Sequence, residues 1–121
     1  MILITTNPLL GKDYPYSSKS HTRGLELFAF SQTPVGIDIE KMDRPIKNYT
    51  ALAERFFHPA EKVESREDFL KLWVKKEAYT KFLRQPLIST IGKKVPDDVT
   101  VQVFGEYYLG VAGTGELVIN E

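Results

Sequence analysis

A chain of 121 residues is long enough to bury one hydrophobic core and shows no sign of a second. Apolar content of 42% and charged content of 26% exclude a disordered or fibrous chain. The 16 Lys and Arg balance the 16 Asp and Glu, which argues against a general nucleic-acid or membrane-surface binder but leaves room for a local basic pocket. Without cysteine there is no disulfide, no thiolate metal site and no thiol nucleophile. The N-terminus lacks the basic flank and long apolar core of a signal peptide, and no apolar run approaches the roughly 20 residues that span a bilayer. The expectation is a single cytoplasmic domain over 1–121.

In chain order, residues 2–5 read as a short strand ended by Asn7-Pro8, and Leu10 to Tyr16 as turn and extended chain. Ser17 to Arg23 gathers hydroxyls, one imidazole and two bases, a composition suited either to gripping phosphate oxygens or to a polar hairpin tip. Leu25 to Phe30 reads as a strand and Gln32-Thr33-Pro34 as a turn. A helix is expected over about 48–57, with an apolar stripe of Leu52, Ala53, Phe56 and Phe57 that His58-Pro59 stops. Pro59-Ala60-Glu61 opens a short helical turn. The main helix starts at Ser65 as N-cap, with Glu67 and Asp68 in its first turn, and runs to about Arg84. Its core side is Phe69, Leu72, Trp73, Ala78, Tyr79, Phe82 and Leu83, while Glu77 and Lys81 stand one turn apart and can pair. Residues 91–98 form a polar connection. Val99 to Phe104 alternates as a strand, and Tyr107 to Ala112 with Leu117 to Ile119 suggests a closing hairpin turned at Gly113-Thr114-Gly115. The sum is an α+β domain, one long helix and shorter helices on one face of a mostly antiparallel sheet.

Within this frame Gly36-Ile37-Asp38-Ile39-Glu40 stands out. Val35, Ile37 and Ile39 alternate with Gly36, Asp38 and Glu40, the period of a strand with one apolar face. Its other face carries two carboxylates about 6.6 Å apart along the strand, close enough to reach one cation. On these five residues alone a solvated acidic edge strand is an equal reading.

Three pieces in order carry a resemblance: Ser20-His21-Thr22, then Gly36 to Glu40, then Trp73-Val74-Lys75-Lys76-Glu77-Ala78-Tyr79-Thr80-Lys81. Together they resemble the 4′-phosphopantetheinyl transferases, in which G-[IV]-D-[IV]-E is followed by W-x-x-K-E-x-x-x-K. Arg55-Phe56-Phe57-His58-Pro59-Ala60-Glu61 is similar to the family's R-F-F-x-x-x-E segment. The order, with Ser20-His21 ahead of Asp38, is that of the long, surfactin-synthetase-activator type. The chain is similar to the end of the first half of such enzymes and to all of the second half. It departs after the long helix, where the family's G-x-G-L continuation is replaced by Phe82-Leu83-Arg84-Gln85-Pro86-Leu87.

The resemblance implies transfer of the phosphopantetheine arm of coenzyme A to a serine of an acyl or peptidyl carrier protein, with release of 3′,5′-ADP. It also implies Mg2+ on Asp38, Glu40 and Glu77, a fitting set of hard oxygen donors. Lys81 would set a cation against the phosphates, and Glu77 or a metal-bound water would take the serine proton. Ser20, His21 and Arg23 would grip the 3′-phosphate of coenzyme A. His58 is expected to end a helix and Trp73 to sit in the core. A family member that binds coenzyme A or a partner without catalysis is the alternative. Because one half supplies one wall of the ligand cleft, a homo-oligomer, dimer or trimer, is expected.

Overall fold

Strand-forming runs rich in Ile, Val, Phe and Tyr sort into two sheets in the computed structural model, which describes residues 1–120. Among these residues are strands β1 (Ile2–Thr5), β2 (Tyr16–Thr22), β3 (Leu25–Ser31), β4 (Val35–Lys41), β5 (Thr100–Phe104), β6 (Tyr107–Gly113) and β7 (Leu117–Asn120), and helices α1 (Tyr49–Phe56) and α2 (Arg66–Leu83). Short 3-10 turns occupy Pro8–Gly11 and Leu87–Ser89. The four-stranded sheet has the order β2-β3-β1-β7 and the three-stranded sheet the order β4-β6-β5. All pairings are antiparallel except β1 with β7. The class is α+β, as the alternation in the sequence implies.

The period of two along β4 decides what each of its faces touches. Ile37 and Ile39 join Ile2, Ile4, Leu27 and Leu109 in the buried core cluster that strands of both sheets build. The opposite face, carrying Gly36 and Asp38, lies under α2. A Cβ at Gly36 would stand 2.1 Å from the Ala78 carbonyl oxygen and 2.3 Å from the Phe82 nitrogen. One at Gly110, on the neighbouring strand opposite Asp38, would stand 2.5 Å from the Val74 carbonyl oxygen. Backbone therefore lies on backbone, and the helix sits deep enough to bury Val74 and Ala78 completely.

The free edge of β4 faces β2, and there the ladder is made by side chains. The Ile37 amide donates to Ser18 Oγ and the Ile39 amide to Ser20 Oγ, each at 3.0 Å. Two hydroxyls thus satisfy edge N–H groups that would otherwise be buried without partners.

Ser65 caps α2 as its position suggests, accepting a hydrogen bond from the Asp68 amide at 3.0 Å. At the other end Arg84 adopts the left-handed conformation, φ 55°, that glycine usually supplies, and its guanidinium lies 5.2 Å over the Tyr16 ring.

Several expectations need correction. The acidic strand is neither a solvated edge nor open on one face, because α2 covers it and residues Val35 to Ile39 are all buried. Residues 107–119 do not close a hairpin. After Gly113 the chain crosses to the other sheet, where β7 runs parallel to β1 and the Ile2 amide donates to the Glu116 carbonyl at 2.8 Å. Ser17 to Thr22 lies within a regular strand rather than a hairpin tip. Pro59-Ala60-Glu61 lies in a hydrogen-bonded turn, the Glu61 amide donating to the His58 carbonyl at 2.9 Å, with no helix. On α2 the buried set also includes Leu70, Val74 and Lys76, whereas Trp73 is only half-buried and stacks on Phe69 with ring centroids 6.0 Å apart.

The close approach at Gly36 yields the first prediction. Gly36→Ala, one methyl group, must push β4 and α2 apart and should cost about 3 kcal/mol or more in urea unfolding. A loss below about 0.5 kcal/mol would show that the helix has slack over the strand.

Candidate active site

Because Gly36 and Gly110 let α2 settle on the sheet, side chains of the helix reach the carboxylate between them. Asp38 is 8% exposed at the middle of β4. Its Oδ1 accepts hydrogen bonds from Ser20 Oγ at 3.1 Å and from Lys81 Nζ at 3.3 Å. Its Oδ2 is buried without a protein partner. Lys81 also donates to the Lys19 carbonyl at 3.1 Å, so its ammonium spans from α2 to β2 across the acid. Lys81 pairs with Asp38 and not, as helical spacing alone allows, with Glu77.

Three acids share this place. Burial pushes the Asp38 carboxyl up to about 7; Glu77 adds to the rise, while Lys81 and Ser20 oppose it. Burial also raises the Glu77 carboxyl, with the charge of Glu40 adding and those of Lys81 and Arg44 opposing. Glu40, at the end of the same strand face, is held in an ion pair by Arg44. The charge of Glu77 thus acts on Asp38, and that of Glu40 on Glu77.

The donor set suits a hard divalent cation: carboxylate oxygens that repel one another and one buried oxygen with no partner. As the side chains lie, the described residues hold no group of three or more His, Cys, Asp or Glu gathered to ligate an ion. Glu40 turned onto Arg44 and Lys81 turned onto Asp38 account for that.

The residues expected to grip a 3′-phosphate are not brought together. Along β2 the neighbours Ser20 and His21 differ in surroundings, Ser20 buried toward β4 and His21 exposed. The Ser20 hydroxyl donates to Asp38. Ser20 thus ties β2, β4 and Asp38 together. Arg23 follows β2, and with Thr22, Glu40, Lys41 and Arg44 it lines a cleft of about 370 Å³. Asp43 and Pro45 complete the lining, so the cleft adjoins Glu40 and carries three cations against two carboxylates.

Sequence reasoning missed Lys76 and Glu61. Their ion pair, 2.6 Å long, is almost wholly buried. Lys76 also donates to the Lys93 carbonyl at 2.8 Å, and Glu61 accepts from the His58 and Val95 amides at 2.9 and 3.0 Å. Burial acts to raise the Glu61 carboxyl, but the bonds from Lys76 and the two amides prevail and hold it below its ordinary value. The pair ties the 57–64 and 93–95 segments to α2 one residue before Glu77. Their places in R-F-F-x-x-x-E and W-x-x-K-E were the available signal. His58 accepts from the Ala60 amide at 3.0 Å and shapes this turn.

The raised Asp38 carboxyl makes stability depend on pH. Folded, it keeps its proton up to about pH 7, whereas unfolded it loses it near pH 4, so the unfolded state binds fewer protons between these values. The contribution of Asp38 to stability therefore falls as pH rises through that window. In urea unfolding with chelator present, Asp38→Asn should gain on the wild type by about 1.4 kcal/mol for each pH unit between pH 5 and pH 7. A gap that does not change with pH would show an ordinary carboxyl.

A family model described as the 4′-phosphopantetheinyl transferase superfamily matches residues 34–111. No curated protein matches the chain significantly. The matched region holds β4, both helices and β5, and with them Asp38, Glu40, Glu77 and Lys81; Ser20, His21 and Arg23 lie outside it. With well over half of its length in that match, the chain belongs to the 4′-phosphopantetheinyl transferase superfamily.

Proposed function

We propose that the chain transfers 4′-phosphopantetheine from coenzyme A to a serine of an acyl or peptidyl carrier protein. The observation that carries this reading is the pairing of buried Asp38 with Lys81, with Glu77 acting on Asp38, within the region matched to the superfamily. In the reaction the serine oxygen bonds to the phosphorus that bears pantetheine, the bridging P–O bond breaks, and 3′,5′-ADP leaves with that bridging oxygen. Such chemistry needs alignment, charge neutralisation and a place for the serine proton. Glu77, its carboxyl raised by burial, takes that proton. Lys81, released from Asp38, sets its ammonium against the phosphates. Arg23, Lys41 and Arg44 line the cleft that receives the nucleotide end, and His21 is the further candidate donor to the 3′-phosphate. Asp38, Glu40 and Glu77 would hold Mg2+, which when bound neutralises charge on the pyrophosphate.

A second cavity, about 270 Å³, is lined by Pro45, Leu52, Phe56, Phe69 and Trp73 and shares Arg44 with the cleft. This apolar hollow, flanked by Arg44 and Lys47, suits an apolar patch of the carrier surface near its serine. The reading without catalysis, a coenzyme A-binding or partner subunit, draws on one observation, the absence of a gathered acid cluster among the described residues.

Incubation of the protein with apo carrier, coenzyme A and Mg2+ should add the phosphopantetheine mass to the carrier. Glu77→Gln and Asp38→Asn should each lower the rate at least about 100-fold while the fold persists by circular dichroism. Binding of coenzyme A without any mass gain would favour the non-catalytic reading.

At the end of the four-stranded sheet away from β2, β7 leaves an open edge that exposes Val118 and Ile119, an apolar strip suited to a second copy of the chain. We therefore also propose a homo-oligomer, dimer or trimer, with coenzyme A across the subunit boundary. Sedimentation at the working concentration should show the oligomer. A monomer active at full rate would refute it.

A further inference from the structure

The acidic site already contains cations of its own. Lys81 Nζ lies 3.3 Å from Asp38 Oδ1, and the Lys19 carbonyl takes a second of its protons at 3.1 Å. Arg44 does the same for Glu40 at the mouth of the site. A buried carboxylate with no counter-charge is costly, and Lys81 supplies that charge from α2. Yet Asp38 is also the carboxylate with a free buried oxygen, the one best placed to ligate a divalent ion. A divalent ion on Asp38 and an ammonium on the same carboxylate repel each other strongly. The lysine side chain has four rotatable carbons and is a third exposed, so it can leave without disturbing the core.

We propose that Lys81 is the resident cation of this site and exchanges with the metal: it holds Asp38 in the metal-free chain, and leaves it for the phosphates of the incoming ligand when a divalent cation binds. The inference rests on the reading of Asp38 as a metal ligand. It follows that metal alone binds weakly, because it must displace Lys81 into solvent. Metal and a phosphate-bearing ligand bind cooperatively, because the released ammonium finds a partner. Lys81 thus sets the order of loading as well as contacting the ligand.

The test is a titration of the full chain with Mn2+, free ion being followed by its electron paramagnetic resonance signal, with and without coenzyme A and with no carrier. Lys81→Met should bind Mn2+ alone at least about 10-fold more tightly than the wild type. The factor by which coenzyme A tightens Mn2+ binding should be smaller in Lys81→Met than in the wild type. Lys81→Arg, which keeps a cation on Asp38, should bind Mn2+ as weakly as the wild type. If Lys81→Met binds Mn2+ no more tightly, or keeps the full cooperative factor, while Asp38→Asn loses Mn2+, the exchange is wrong and the metal reading stands. If Asp38→Asn binds Mn2+ like the wild type, the metal reading itself fails. Should Lys81→Met not fold, Lys81→Gln is measured against the same expectations.

Discussion

The contact on which this structure depends is backbone against backbone, α2 lying directly on β4 and β6 at Gly36 and Gly110. A side chain at either position would hold the helix off the sheet by the thickness of a methyl group or more. Lys81 Nζ already stands 3.3 Å from Asp38 Oδ1, so such a displacement would weaken that bond while stripping cover from the acid. Packing and electrostatics are therefore one requirement here. The depth of the helix buries Asp38, burial raises its carboxyl, and the same depth brings the lysine that offsets it.

The buried Lys76–Glu61 pair fixes the rotation of that helix as the glycines fix its depth. Removing one partner of such a pair leaves the other buried and uncompensated, at a cost of about 3–5 kcal/mol. The network also takes two amides and one carbonyl from the segments around it, so the loops flanking α2 are ordered by the helix they support. In Lys76-Glu77 two adjacent charged residues divide the work: the first is consumed by structure, and the second is left half-buried beside Asp38 and Glu40.

How much of this could be read from residues alone depended on whether the information was local. The alternation in Val35 to Glu40 announced a strand, and the Ser65 cap with Glu67 and Asp68 announced the start of α2; both are properties of a few neighbouring residues. Gly113-Thr114-Gly115 announced a turn equally well. Nothing in a turn states which strand the chain will pair with next, and β7 goes to the parallel side of β1 in the other sheet. The burial of Lys76 was not local information, because its partner lies fifteen positions earlier, across a loop. Ser20 could not be read as a tie at a strand edge, because its partners Asp38 and the Ile39 amide lie on another strand and only the fold brings them to it.

Ser20 also shows how the two sheets and the candidate site constrain each other. Its oxygen accepts the Ile39 amide and its proton goes to Asp38, so one hydroxyl closes the seam between β2 and β4 while orienting the acid in β4. Lys81 crosses the same seam from above, bonded to the Lys19 carbonyl on β2 and to Asp38 on β4. When Lys81 departs, the seam loses one of its ties, but the Ser18 and Ser20 hydroxyls and the inter-sheet apolar cluster remain. The site can therefore rearrange its charges without opening the fold, because the bonds that hold the strands do not use the side chain that must move.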